Sequence, residues 1–341
     1  MSTTVTQQME PEILKSRIAR FRQVQADVVT QVRRVIVGQE EVLEQVMIAL
    51  FVGGHCLITG LPGTAKTLLV RTLAQTLGLI FKRIQFTPDL MPSDITGTDI
   101  IEEDPATGHR TWTFVPGPIF GNLLLADEIN RTPPKTQSAL LEAMQEMCCT
   151  VRGNRYVLPK PFFVLATQNP IELEGTYPLP EAQLDRFLFN TVLDYLSAEE
   201  ELQVVDLTTV TTIPHADPVT NAEEILDFQQ LVRMVPIGES VARHAVDLVR
   251  VSRSRDEFAP DFVQKYVNYG ASVRAAQFLV LAAKARALMH GRYHVTYDDI
   301  RSLYIPVLRH RILLNFHAES DHLRQDDILK RILEWRGAPR E

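Results

Sequence analysis

Eight consecutive residues, Gly60-Leu61-Pro62-Gly63-Thr64-Ala65-Lys66-Thr67, have the composition of an anion cradle. The apolar stretch 55–59 before them reads as a short buried strand, and 66–77 after them reads as a helix ended by Gly78. A strand, a glycine-rich turn and a helix N-terminus together aim backbone N–H groups at phosphate. In that frame Lys66 reaches the β- and γ-phosphates of ATP and the Thr67 hydroxyl holds Mg²⁺. Gly60, Pro62, Gly63, Thr64, Ala65 and Leu68 complete the expected nucleotide contacts. The general pattern has glycine before the lysine. Alanine resists positive φ, so Ala65 is expected to adopt a helical backbone. A second constellation is Leu123-Leu124-Leu125-Ala126-Asp127-Glu128. Here an apolar strand delivers two carboxylates at its C-terminal end, where ligands bind in open α/β sheets. Asp127 is expected to hold Mg²⁺ through water, and Glu128 to polarise the attacking water as general base. Taken singly, the first motif could be a turn with a surface lysine and the second a solvated acidic pair; in this order they reinforce each other.

The elements that must position these groups follow from hydrophobic spacing. Residues 83–86, 122–126, 162–166 and 189–193 read as further buried strands, mostly separated by helical patterns. Buried strands alternating with helices predict an α/β fold with a mostly parallel sheet. Two stretches break the alternation. Residues 99–114 carry the turn signal Pro105-Ala106-Thr107-Gly108, and residues 150–158 carry Gly153-Asn154; both read as β-hairpins. Apolar residues at Leu14, Ile18, Phe21, Val24, Val28 and Val32 predict an N-terminal amphipathic helix. Beyond residue 196 strand signals stop. Residues 206–222 are rich in Thr, Pro, Asp and Asn, and helices are expected at 239–253, 260–269, 274–290, 297–311 and 326–335. The expected organisation is an N-terminal helix at 1–34, an α/β nucleotide-binding core at 35–195, a linker at 196–222 and an all-helical lid at 223–341.

Composition narrows the partners. The 341 residues carry a net charge of -7, with 45% hydrophobic and 23% charged residues, as in ordinary soluble globular proteins. An acidic chain without an added basic module makes nucleic acid an unexpected partner. Cys56, Cys148 and Cys149 form neither a disulfide framework nor a metal-ligand spacing, which fits a reducing cytoplasm. The longest apolar run, 46–58, is broken by Gly53-Gly54-His55 and is too short for membrane insertion. His290 and His294 are four apart, but Gly291 between them spoils a shared face for metal.

Five motifs occur in a fixed order: residues 60–67, Asp127-Glu128-Ile129-Asn130-Arg131, Ala166-Thr167-Gln168-Asn169-Pro170, Leu184-Asp185-Arg186-Phe187 and Gly270-Ala271-Ser272-Val273-Arg274-Ala275. Together they resemble the MoxR family of AAA+ ATPases, over most of the chain from about Val35 to Arg311. Within that resemblance alanine before the lysine is common. The resemblance implies that Asn169 is the sensor-one residue beside the γ-phosphate and that Arg186 is the finger reaching a neighbouring subunit's γ-phosphate, with Arg131 a second candidate for a cross-subunit contact. It implies that Arg274, where Val273 replaces the usual proline, is the sensor-two arginine that swings onto the phosphate as the lid closes. It places Ile36-Val37-Gly38-Gln39 against adenine, so Val37 and Gly38 join the nucleotide contacts. It also puts the hairpin tips, Gly108-His109-Arg110 and Arg152-Gly153-Asn154-Arg155, at a pore or one face of a ring where they could touch a client. A homo-oligomeric ring, a hexamer by resemblance, chaperone-like action on a client, and a partner with a von Willebrand factor A domain are the further expectations. A nucleic-acid motor and a nucleotide-switched scaffold with little hydrolysis are the rival readings.

Overall fold

The computed structural model describes residues 11–61, 63–103, 109–169, 175–210 and 214–336. The chain begins with two helices, α1 (Pro11–Arg33) and α2 (Glu40–Val52), the second closed by Gly53 in the left-handed conformation. Strand β1 (Cys56–Gly60) then leads into α3 (Lys66–Thr76). After β2 (Phe81–Gln85) and α4 (Pro92–Thr96) the first hairpin rises as β3 (Gly97–Glu103) and β4 (Arg110–Pro116). Strand β5 (Leu123–Asp127) and α5 (Pro134–Glu146) precede the second hairpin, β6 (Cys148–Val151) and β7 (Asn154–Val157). The core closes with β8 (Phe163–Gln168), α6 (Glu181–Leu184), β9 (Phe189–Leu193) and α7 (Ala198–Thr208).

Five strands form one parallel sheet in the order β2-β5-β8-β1-β9. The central strands β5 and β8 are buried along most of their length, as their continuous apolar runs predict. The edge strand β2 departs from that expectation: Lys82 and Arg83 are exposed. An edge strand has a neighbour on one side only, so polar side chains there stay wetted.

The remaining helices are α8 (Ala222–Met234), α9 (Glu239–Arg250), α10 (Asp261–Tyr266), α11 (Val273–Met289), α12 (Tyr297–Leu308), α13 (Phe316–Ser320) and α14 (Gln325–Arg336). One short antiparallel ladder joins β10 (Val267–Tyr269) to β11 (Leu313–Leu314), so residues 267–269 leave the helix expected for them. A single apolar cluster runs from Phe21 through α2 and β1 to Ile332. Phe21 lies 4.8 Å from Phe51 and 5.1 Å from Phe228, so α1 bridges the α/β core and the lid. Arg17–Asp227 and Arg20–Glu224 ion pairs fasten the same junction.

Both hairpins form. The tight turn of the second is Arg152-Gly153, one residue earlier than the sequence signal, because both residues take positive φ (49° and 85°). The first turn, 104–108, lies outside the described residues. The hairpins lean on each other: Phe114 stacks on Tyr156 at 3.9 Å, and the Arg152 guanidinium sits 4.0 Å over Trp112. Among the described residues no helix is long and apolar enough to cross a membrane.

Candidate nucleotide-binding site

The phosphate loop lies between β1 and α3, at the C-terminal end of the sheet. Gly60 is required by packing, since a Cβ there would lie 2.7 Å from the Leu193 carbonyl of β9. Gly63 is required by conformation: its φ is +80°, with open space where a Cβ would be. The expectation for Ala65 is overturned. It takes φ 59° and ψ 22°, the left-handed region, as N-cap of α3. The turn that brings the loop into the first helical turn needs this backbone, and alanine is the smallest residue with a Cβ to bear it, at roughly 1–2 kcal/mol. Replacing Ala65 by Gly is therefore expected to leave ATP affinity within about twofold, because glycine adopts the same left-handed backbone without strain and keeps the loop amides in place. Replacing it by Val, whose branched Cβ resists positive φ, is expected to weaken ATP at least ~10-fold. A nucleotide titration decides this; equal affinities for the Ala65→Val and unaltered proteins would show that the left-handed turn is dispensable.

Lys66, Thr67, Asp127, Glu128 and Asn169 line one cavity of about 530 Å³, together with Thr64, Ala65, Thr167 and Gln168. Lys66 Nζ donates to the Gly60 and Leu61 carbonyls at 2.6 and 2.8 Å. Partial burial lowers its pKa, opposed by the Asp127 and Glu128 charges. Asp127 accepts from Thr167 Oγ1 at 2.6 Å and from Arg83 Nη2 at 2.6 Å. Thr167 Oγ1 also accepts from the Glu128 N–H at 2.8 Å, which fixes the two acidic residues relative to each other. Glu128 Oε2 accepts from Gln85 Nε2 at 2.8 Å and lies 3.2 Å from Arg131 Nε. Within its own chain Arg131 therefore pairs with this glutamate.

These residues fit Mg²⁺–ATP. Among the described residues the Thr67 hydroxyl has no hydrogen-bond partner, and it faces a cavity whose other walls carry two carboxylates. Both Asp127 oxygens are already engaged, so its reach to a cation runs through water or through release of Arg83.

A second cavity of about 420 Å³ shares Gly63, Thr64, Ala65 and Leu68 with the first. Its apolar walls are Val35, Ile36 and Val37 on one side and Tyr195, Leu196, Val204 and Val205 on the other. It has the shape and lining that an adenine base requires beside the phosphates. Gly38 does not line it. Its φ is +66°, and a Cβ would collide with Glu200 Oε1 at 2.4 Å, so Gly38 lets α7 approach. Among the described residues, three of the six non-glycine positions with positive φ, Gln39, Ala65 and Glu128, line these two cavities. Such strained backbone clusters at ligand sites when the surrounding structure over-determines it.

The comparisons match this geometry. A family signature described as “ATPase family associated with various cellular activities (AAA)” covers residues 55–189, and one described as “AAA lid domain” covers 261–332. Chaperone MoxR1 of Mycobacterium tuberculosis is 41% identical over 309 residues, which is 91% of this chain and 81% of that protein. The chain belongs to the MoxR family of AAA+ ATPases. Protein YeaC of Bacillus subtilis, uncharacterised, is 44% identical over 89% of this MoxR-family chain and 92% of its own length. The crystal structure of a candidate ATPase from Cytophaga hutchinsonii superposes with a TM-score of 0.90 at 40% identity, covering 97% of this chain and all of that one.

Two arginines that the family resemblance singles out lie away from this chain's own phosphate cavity. Arg186 and Arg274 share a small cavity with Gly53, Gly54, His55 and Phe278. Gly53 to His55 precede β1, whereas the phosphate loop follows it. The two arginines therefore lie at the opposite end of that strand, roughly 15 Å away at ~3.3 Å per residue. Arg186 Nη1 donates to the Leu141 carbonyl at 2.6 Å, and no described carboxylate is within ion-pair distance of it. Arg274 pairs with Asp185 at 3.4 Å. The structure does not bring Arg274 to its own chain's phosphate cavity.

Sequence reasoning did not find Arg83, Gln85, Thr167 or the α7 wall of the base cavity. Thr167 carried a usable signal, being two residues before Asn169 on a strand that must pair with the Asp127 strand. Arg83 and Gln85 did not, because their role depends on β2 pairing with β5 in the register Gln85–Asp127.

Proposed function

We propose that this MoxR-family protein binds ATP with Mg²⁺ in the joined cavities, hydrolyses it and uses the cycle for chaperone-like remodelling or maturation of a client complex. The observation that carries the reading is the convergence of Lys66, Thr67, Asp127, Glu128 and Asn169 on one cavity. Lys66 and the α3 N-terminus hold the phosphates, Thr67 and Asp127 hold the cation, and Glu128 with Asn169 orients and deprotonates the attacking water. Bound Mg²⁺ supplies charge neutralisation at the phosphates.

The positive charge that completes such a site comes from a second subunit. Arg186 and Arg274 sit together at the other end of β1, where a neighbour's phosphate cavity would meet them in a ring. A homo-oligomer follows, and a hexamer is the form the family suggests. The paired hairpins, with Ile101, Trp112 and Val157 more than half exposed, are the surface offered to the client. A partner carrying a von Willebrand factor A domain and a cytoplasmic setting belong to the same reading.

Phosphate release by the purified protein tests this, measured against protein concentration. A rate per subunit that rises as subunits associate is expected. A rate at blank level at every concentration would leave the nucleotide-switched scaffold. Turnover that requires single-stranded DNA and vanishes at raised salt would make the protein a nucleic-acid motor instead.

A further inference from the structure

We propose that Asp185 is the positioning residue that presents Arg186 and Arg274, as one unit, to the neighbouring subunit's nucleotide; this rests on the cross-subunit reading above. Asp185 closes α6 and immediately precedes Arg186. Its Oδ2 accepts from Ser272 Oγ at 3.1 Å and from Arg274 Nη1 at 3.4 Å. Its Oδ1 accepts from Arg311 Nε at 2.7 Å. One carboxylate thereby joins the segment carrying Arg186, the start of α11 carrying Arg274, and the turn after α12.

Arg311 is the anchor of this arrangement. Its side chain is 1% exposed. Its guanidinium also donates to the carbonyls of Asp185 at 3.0 Å, Leu188 at 3.3 Å, Phe187 and Val307. The neighbouring His310 Nε2 donates to the Phe187 carbonyl at 3.1 Å, and Arg309 Nη1 to the Asn190 carbonyl at 3.0 Å. Three consecutive lid residues thus grip the core backbone from 185 to 190. Burial lowers the His310 pKa well below the ordinary histidine range, so the ring carries one proton, on the Nε2 that faces the Phe187 carbonyl.

Two physical consequences follow. First, the lid cannot tilt away from the Arg186 segment without stripping a buried guanidinium of its partners, which is strongly unfavourable. The two arginines therefore travel together when one subunit moves against the next. Second, the charges balance in a useful way. Arg311 offsets Asp185, so the cluster keeps the excess positive charge of Arg186 and Arg274 where a triphosphate would arrive. A bare arginine pair would repel itself into divergent conformations; the Asp185 carboxylate, paired with Arg274 and fixed by Arg311 on the residue next to Arg186, offsets part of that repulsion.

Mixed oligomers test this in trans. Unaltered protein is mixed in equal amounts with a Glu128→Gln dopant, which cannot hydrolyse ATP itself but can still serve its neighbour. Further dopants carry Glu128→Gln with Arg186→Ala, with Asp185→Asn or with Ser272→Ala. Residual turnover with the Arg186→Ala dopant is expected to be about twofold lower than with Glu128→Gln alone for random assembly. The Asp185→Asn dopant is expected to approach that value. Ser272→Ala, which removes one ligand of Asp185 while leaving the buried ion pair, is expected to lie between. If the Arg186→Ala dopant is no worse than Glu128→Gln, the cross-subunit reading itself falls. If it is worse but the Asp185→Asn dopant is not, the positioning role is overturned and the finger stands. Nucleotide binding by the Asp185→Asn protein, whose own cavity is at the far end of β1, reports its folding. If it does not fold, the Ser272→Ala dopant decides, and equality with Glu128→Gln alone overturns the proposal.

Discussion

Glu128→Gln is expected to abolish ATP turnover and to leave ATP binding in place. A loss of at least ~100-fold in phosphate release is expected, the ordinary contribution of a positioned general base. The substitution keeps the shape of a side chain that is held by Gln85 at 2.8 Å and approached by Arg131 at 3.2 Å. The amide oxygen can still accept from both, so the backbone strain at Glu128 (φ 57°) and the position of the side chain are preserved. What is lost is the charge that draws a proton from water. The ion pair with Arg131 is partly solvated, and its loss costs at most about 1 kcal/mol of stability. Phosphate release and nucleotide titration on the same preparation separate the two effects. Equal phosphate release by both proteins would remove Glu128 as the base; lost nucleotide affinity would make it a binding residue.

Arg186→Ala gives the second large effect. A finger contributes roughly 10³–10⁵ in turnover by meeting charge that develops on the transferred phosphoryl group. Among the described residues Arg186 makes one side-chain hydrogen bond, to the Leu141 carbonyl, so its removal costs the fold only about 1 kcal/mol. Its own phosphate cavity, beyond β1, is untouched. The distinctive expectation is complementation. Arg186→Ala subunits have intact cavities and lack the finger; Glu128→Gln subunits lack the base and keep the finger. Each protein alone is inactive. Mixed in equal amounts, they are expected to regain roughly a quarter of the unaltered turnover, because that fraction of boundaries pairs a good cavity with a good finger. Arg186→Lys is expected to complement poorly, since an ammonium lacks the planar fork that matches phosphate. Co-assembly without recovered turnover would place the missing function inside the subunit.

The sequence by itself determined whatever depends on adjacent residues. The cradle 60–67, the carboxylates at the end of an apolar strand and the polar Asn169 after another are contiguous signals, because strand, turn and helix start each need their residue types in immediate succession. The α/β core, both hairpins and the helical nature of the lid were legible for the same reason. Tertiary structure decided what depends on register and on distant packing. It put Ala65 into a left-handed turn that alanine does not prefer, because the loop must enter α3 there. It made Arg83, Gln85 and Thr167 partners of the acidic pair through strand pairing across the sheet. It turned α7, inside a stretch that reads as linker, into one wall of the base cavity, with Gly38 leaving the room for it. Above all it carried Arg274 away from its own phosphates and set it beside Arg186, bound through Asp185 to a buried Arg311. A motif names a residue's type and its order along the chain; which end of a strand that residue faces is settled only when segments more than a hundred residues apart compete for the same buried hydrogen bonds.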